Sequence, residues 1–472
     1  MESLIAALRD PASYPHRVDS VEVIETHISW VLLAGAYAYK VKRPVRLPFL
    51  DFSTLEARRR YCEEELRLNR RTAPDLYLEV APIVQTARGP AVSAPGEPIE
   101  YAVKMRRFAS DALADDMARR GALGPAQVDA IAAVLARFHA AAPRADPGGA
   151  YGAPARIAAP AIGNFDQIAA LGAGPGAAAR RGRLRARAEG ESRRLQPVFA
   201  ARQAGGHVRE CHGDLHLGNI AFIDGRAVPF DCIEFDPALR WIDVMSEVAF
   251  LVMDLLAHRL AAAAWRLLNA WLEAAGDYDG VALLRFYLVY RALVRAKIAR
   301  IRGSDEQFRL YLGLAESLAE AVRPLLVLMH GLAGSGKTTV SQAALERLGA
   351  VRVRSDVERK RLHGLEPEAR TGAGLEAGVY AAAASRRTYG HLAGLAAGVL
   401  AAGYPAIVDA AFLQRGQRDL LRRVAGRLGA ACVIAACTAP EATLHRRVTE
   451  RAARASDASD AGVDVLEHQL AT

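Results

Sequence analysis

The 472 residues exceed what one ordinary hydrophobic core organises, so two domains are the default and three are allowed. Five cysteines, Cys62, Cys211, Cys232, Cys432 and Cys437, are odd in number and lack close spacing with histidines, which speaks against a disulfide scaffold or a zinc site. The 61 Lys and Arg against 52 Asp and Glu leave a net charge of +9, able to attract nucleic acid but equally suited to a solvated surface around phosphate sites, so charge selects no partner.

The opening stretch MESLIAALRD carries Glu2 and Asp10 and lacks a basic end followed by a long apolar run, unlike a secretory signal. From Ser20 to Val45, apolar and polar side chains alternate and Val, Ile, Tyr and Trp are frequent, which predicts strands joined by a turn near Gly35. STLEARRRYCEEELRLNRR then predicts a helix, with Ser53 as cap and Glu56 three positions on. LYLEVAPIVQ and IEYAVKMRRF predict two more strands, separated by the turn-rich ARGPAVSAPGEP.

After Phe108 the pattern turns helical, as in GPAQVDAIAAVLARFHAAA. An Ala, Gly, Pro and Arg-rich stretch follows from about Ala141 to Arg194, part loop and part polar helix. Next comes CHGDLHLGNI, in which His212, Asp214 and Asn219 show the H-x-D-x-x-x-x-N spacing of a phosphoryl-transfer loop. Asp224-Gly225 is a hairpin signal between apolar segments; folding it carries Asn219 close to Asp231, so the two can share a magnesium ion while Asp214 faces a hydroxyl. His212 itself reads as a buried structural group. The apolar region VAFLVMDLLAHRLAAAAWRLLNAWL is broken by Asp254, His258, Arg259 and Arg266, which predicts a buried helix pair and no membrane span. A soluble, cytoplasmic protein is expected.

At PLLVLMH, residues 324–330, a new α/β domain begins, with the boundary near Arg323. GLAGSGKTT matches G-x-x-x-x-G-K-[ST] with Gly331, Gly336, Lys337 and Thr338, while Gly334, Ser335 and Thr339 complete the loop that cradles phosphate. Its glycines let N–H groups turn inward, Lys337 neutralises β/γ oxygens, and the Thr338 hydroxyl joins a magnesium shell. Asp409, at the carboxyl end of the strand in YPAIVDAAF, is the candidate for a metal-bound water. Asp356, in VRSDVERKRL, is assigned to an acceptor hydroxyl with Ser355 as helix cap and Arg359 and Lys360 near anionic groups; capping by Asp356 itself is the competing reading. Arg447 and Arg451, four apart, suit a phosphate clamp, although surface arginines often share that spacing. Only a short stretch, including DVLEHQL, follows, leaving little room for the final elements around an adenine.

With these residues in place, the segment from about 324 onward resembles the small P-loop kinases and the polynucleotide 5′-kinase domains. Residues 20–260, whose loop reads HGDLHLGN, resemble the aminoglycoside phosphotransferase family of protein-kinase-like enzymes. The resemblance implies an α+β two-lobed kinase-like domain over 1–322, with lobes of about 1–108 and 109–322. An α/β P-loop domain with a parallel sheet follows over 324–472. It implies ATP and magnesium as cofactors, a strand lysine on the phosphates, taken as Lys40 over Lys42, and a helix glutamate, taken as Glu65 over Glu64. Lys104 leads into the hinge between lobes, and Asp243 would brace the catalytic loop. The chain departs from that family in having only Gly35 over the phosphates and Cys232-Ile233 after Asp231. The expected function is phosphotransfer to a small-molecule hydroxyl. A nucleotide-sensing regulatory ATPase and a nucleic-acid 5′-kinase are the alternatives, the last not favoured.

Overall fold

The computed structural model describes residues 1–47, 50–172, 175–320, 322–366, 369, 382–454 and 461–471. These form two compact units. The first comprises residues 1–123, 137–156 and 202–247; the second comprises 124–136, 157–201 and 248–472.

The first unit is built on an antiparallel six-stranded sheet. Its strands run in the order Val21–Glu25, Ser29–Ala34, Tyr37–Lys42, Pro98–Arg106, Tyr77–Thr86, Gly89–Val92. The turn expected at Gly35 lies between the second and third strands, with φ of 59°, and a Cβ there would sit 2.8 Å from the Arg17 carbonyl oxygen, so only glycine fits. The stretch 87–98, expected to be turn only, contains the edge strand Gly89–Val92, because Ile83 and Val84 offer it a free strand edge to pair with. The helix is Leu55–Asn69 and its cap is Thr54, whose hydroxyl accepts the Ala57 N–H at 3.1 Å; Ser53, the expected cap, is held instead by Asp51. Cys62, Glu65, Leu68 and Asn69 recur at helical spacing on its buried face, so a carboxylate is carried into the core with the apolar side chains.

The Asp224-Gly225 hairpin forms as expected. Ile220–Ile223 pairs with Arg226–Pro229, and both turn residues have positive φ, 50° and 75°, which matches the twist of a two-residue hairpin.

In the second unit the P-loop region is a parallel sheet with strand order Val351–Arg354, Ala406–Asp409, Leu325–His330, Ala431–Ala436. The apolar region of the sequence becomes the helices Val244–Ala257 and Ala261–Ala275, buried as expected. No helix among the described residues is long and apolar enough to cross a membrane. The stretch from Ala141 to Arg194 supplies the helices Pro154–Ala170 and Pro175–Ala204.

The helix Ala261–Ala275 covers the outer edge of this sheet. The Asn269 carboxamide donates to the Ala350 carbonyl at 2.8 Å and accepts the Arg352 N–H at 2.6 Å, completing the edge strand as a neighbouring backbone would. Arg354 meets Glu273 at 2.7 Å one turn further on, and Arg266 joins Asp129 at 2.7 Å and Glu346 at 3.0 Å. Asn269→Ala leaves a buried donor and a buried acceptor without partners. It should destabilise the second unit by about 1–3 kcal/mol, read as a lower urea midpoint for the tryptophan signal, while Asn269→Asp should be no better tolerated because it cannot donate.

Candidate functional site

The first constellation is assembled from three distant segments. In the strand Tyr37–Lys42, Lys40 and Lys42 point to the same face because strand side chains alternate with period two. Glu65 lies fully buried beneath them and takes one ammonium on each oxygen: Lys40 at 2.8 Å on Oε1 and Lys42 at 2.7 Å on Oε2. Both lysines thus reach Glu65, and what separates them is their second partner. Lys40 extends to Asp231 at 2.5 Å, whereas Lys42 is sealed inside against Glu234. Glu64 points elsewhere, to Arg67 at 2.8 Å and Arg240 at 2.7 Å. Lys104 pairs with Glu79 at 2.8 Å and lies apart from this cluster.

Burial opposes charge on Lys40, Lys42 and Glu65, and their mutual attraction overrides it, whereas at Glu234 burial prevails and raises the pKa. Desolvation alone would lower the Lys40 pKa, but Asp231, Glu65 and Glu234 hold it well above the ordinary lysine value. Desolvation would raise Glu65, yet the two ammoniums bring it down to about 2.

Asp231 follows the hairpin, with φ of 64°, a left-handed conformation uncommon outside glycine that aspartate adopts more readily than most side chains. Its N–H donates to the Tyr77 hydroxyl at 3.1 Å, and the next N–H, of Cys232, donates to the Asn69 side chain at 2.9 Å. These bonds fix the backbone while the carboxylate stays part-exposed. The hairpin brings Asn219 alongside, its carbonyl accepting the Phe230 N–H at 3.0 Å, and the Asn219 carboxamide donates to the Asp214 carbonyl at 3.0 Å. The Asp214 carboxylate is also part-exposed, with His216 at 3.7 Å.

His212 is structural, as expected. It is buried, its pKa is lowered by burial, and its Nε2 donates to the Phe230 carbonyl at 2.7 Å, since a carbonyl only accepts. The expected brace, Asp243, does something else: it pairs with Arg202 at 2.7 Å and accepts the Met245 N–H. Glu247, one helical turn later, takes the bracing role, with Oε1 accepting the N–H groups of His212 at 2.8 Å and Gly213 at 2.7 Å. Its other oxygen meets His139 at 2.9 Å. Gly213 has φ of 91° and a Cβ would strike the Leu239 carbonyl at 2.8 Å, so the loop reaches Glu247 only through a glycine. His139, Cys211 and Glu247 present ligand atoms within 4.8 Å of one another, a grouping no sequence spacing displays, but both Glu247 oxygens are already engaged by the protein.

The second constellation is the phosphate loop between the strand Leu325–His330 and the helix Lys337–Leu348. Gly331, Gly334 and Gly336 have φ of 147°, 78° and 92°, and a Cβ on Gly331 would lie 2.3 Å from the Cys437 carbonyl oxygen. Lys337 arches back to the carbonyls of Gly331 at 3.0 Å and Leu332 at 2.8 Å. Its pKa is lowered, chiefly by burial, with Asp409 and Asp356 opposing and Arg451 reinforcing. The single proton of the Ser341 hydroxyl is shared between the buried Asp409 carboxylate at 3.1 Å and the Thr338 carbonyl at 3.0 Å; Thr339 is exposed on the helix. Arg447 donates to the Gly334 carbonyl at 3.2 Å and Arg451 to the Ala461 carbonyl at 2.7 Å.

Neither capping expectation at 355–356 is met. The helix starts at Ser355 itself, its N-cap is Arg354, and no side chain caps it, leaving Asp356 half-buried in the first turn. Lys360, expected near anionic groups, is almost wholly buried. Two contacts had no sequence signal: Arg352, inside the edge strand, reaches the Ser341 hydroxyl at 3.2 Å, and the Gln469 side-chain Oε1 accepts the Ala333 N–H at 2.8 Å.

A triphosphate and its metal fit both places on the chain's own features. The second offers a glycine loop in which a Cβ on Gly331 or Gly334 would clash and a buried Ser335 hydroxyl without a hydrogen-bond partner among the described residues. The first offers a constrained, part-exposed carboxylate next to a carboxamide and an ammonium.

Fold and site together give a unit built on an antiparallel six-stranded sheet with a Lys40–Glu65–Asp231 cluster, and a P-loop domain with a parallel sheet. A family profile described as an AAA domain matches residues 326–472. Over 459 residues the chain is 32% identical to uncharacterized proteins of Mycobacterium tuberculosis and Mycobacterium bovis, covering 93% of this chain and 88% of theirs, and it belongs to their family. Among solved structures, it is similar to a choline/ethanolamine kinase family protein from Mesorhizobium loti, at 12% identity and a TM-score of 0.39 over 67% of this chain and 98% of that one. It is also similar to a thermostable mutant of an aminoglycoside phosphotransferase, at 14% identity and a TM-score of 0.42 over 64% of this chain and 94% of that one.

Glu65→Gln leaves two buried ammoniums sharing a neutral amide. It should destabilise the first unit at pH 7 by about 3–5 kcal/mol, seen as faster hydrogen exchange of the amides in Tyr37–Lys42. Because the folded pKa of Glu65, about 2, lies below its ordinary value of 4.5, the wild-type advantage is full above pH 4.5 and should fade as pH falls towards 2.

Proposed function

We propose that the chain is an ATP-dependent phosphotransferase that moves a γ-phosphoryl group to a hydroxyl of a small molecule, with functional modules at 1–322 and 324–472. The observation that carries this reading is the convergence of Lys40, Glu65 and Asp231, the last two lying 25 and 191 residues from Lys40, on one part-exposed point beside the Asp214 loop. Bound magnesium and ATP would supply the transferable group and neutralise its charge.

The residues take these parts. Lys40, oriented by Glu65, holds phosphate oxygens. Asn219 and Asp231 hold the metal. Asp214 receives the proton of the acceptor hydroxyl, its backbone kept in place by the Asn219 carboxamide and the Glu247 brace on the preceding N–H groups. In the P-loop domain Lys337 swings from the Gly331 and Leu332 carbonyls to phosphate. Gly334, Ser335, Gly336, Thr338 and Thr339 offer N–H and hydroxyl donors, and Thr338 and Asp409 serve the metal shell. Arg447 and Arg451 leave backbone carbonyls for the transferred charge, and Asp356 faces the acceptor.

The test is ATP consumption by the full chain against a library of hydroxyl-bearing metabolites, aminoglycosides and 5′-hydroxyl oligonucleotides. An acceptor-dependent turnover that falls by about 100-fold or more in Asp214→Asn assigns transfer to the first domain. Lys337→Ala should weaken nucleotide binding by the P-loop domain by about tenfold or more. Acceptor-independent hydrolysis, unchanged in Asp214→Asn, would refute the proposal and favour a regulatory ATPase.

A further inference from the structure

The helical part of the second unit encloses a cavity of about 470 Å³, within the size range of small-molecule sites. It lies between the helices Pro154–Ala170, Pro175–Ala204 and Val281–Ile301 and uses none of the phosphate-site residues. Leu184, Phe286, Val289 and Leu293 make an apolar floor. Gly190, deep inside the long helix, opens onto it, and a Cβ there would meet nothing within 4 Å. Glycine in a helix interior costs about 1 kcal/mol relative to alanine, so close packing does not explain this one; the space it leaves belongs to the cavity.

The mouth is charged unevenly. Arg187 pairs with Glu320 at 2.6 Å, and Arg194 with Glu191 at 2.5 Å. Arg285 differs: its contacts are the carbonyls of Glu320 and Gly403, the latter at 2.9 Å, and the ring of Tyr404 at 5.2 Å. Among the described residues it has no carboxylate partner, so carbonyl dipoles and a ring face offset its charge only in part. A guanidinium in that state, at the edge of an apolar chamber, complements a ligand with one negative head group and an apolar body.

We propose that this cavity is a binding site for a small amphipathic organic anion, its apolar body on the Phe286 and Leu293 floor and its head group on Arg285. The site is independent of the phosphotransfer reading and stands or falls by itself.

Titration calorimetry on the full chain with octanoate, and separately with octan-1-ol, tests it. Octanoate should bind saturably at one site, with octan-1-ol about tenfold weaker or more. Gly190→Leu fills the chamber while improving helix propensity, and should abolish octanoate binding with an unchanged circular dichroism spectrum and unchanged nucleotide binding. Arg285→Gln should reduce octanoate to the level of octan-1-ol. Absence of saturable octanoate binding, equal binding of the alcohol, or octanoate binding that survives in a folded Gly190→Leu variant would each overturn the proposal. Should Gly190→Leu not fold, the acid-to-alcohol contrast and Arg285→Gln still decide it.

Discussion

One buried carboxylate organises the first unit. Glu65 has no water to solvate it, so it is tolerable as an anion only if cations are brought to it, and the strand Tyr37–Lys42 supplies two at period-two spacing. Meeting that need fixes the register of the helix Leu55–Asn69 against the sheet. It also aims Lys40 at Asp231 and leaves Lys42 inside with Glu234. The arrangement distinguishes two similar lysines by their second partner: Lys40 reaches the part-exposed Asp231, while Lys42 is closed in between Glu65 and Glu234.

The loops around this cluster are held largely through their backbone N–H groups. Asn69 holds Cys232 through its N–H, Tyr77 holds Asp231, and Glu247 holds His212 and Gly213. The carboxylates of Asp214 and Asp231 therefore remain part-exposed while their main chains are hydrogen-bonded in place, the combination that positioning chemistry requires. In the P-loop domain the same separation is achieved differently. Glycines remove Cβ atoms so that the loop can close on itself, and Lys337 and Arg447 rest on the carbonyls of that loop.

The motifs that could be read from the chain were those whose chemistry is local. The Asp224-Gly225 turn specifies a hairpin by backbone preference alone, and the hairpin then sets Asn219 against Phe230, the residue before Asp231. G-x-x-x-x-G-K-[ST] specifies a loop for the same kind of reason. Cap residues were less legible: Thr54 replaced Ser53, and no side chain capped the helix at Ser355, because a cap depends on where the preceding chain arrives. The choice between Asp243 and Glu247 as the brace was not legible either, since both lie at the start of one helix and only its angle to the loop selects between them.

Sequence by itself determined most element types, the glycine-rich loop after Leu325–His330 and the hairpin that sets Asn219 beside Phe230, because each follows from preferences within a few residues or from one short hairpin. Tertiary structure alone decided which acid braces His212, that both Lys40 and Lys42 share Glu65, that Asn269 completes a sheet edge, and that a cavity opens at Gly190. Those outcomes depend on where residues far apart in the chain are brought to rest, and burial, which turns an ordinary polar side chain into one that must find a partner, has no local signature.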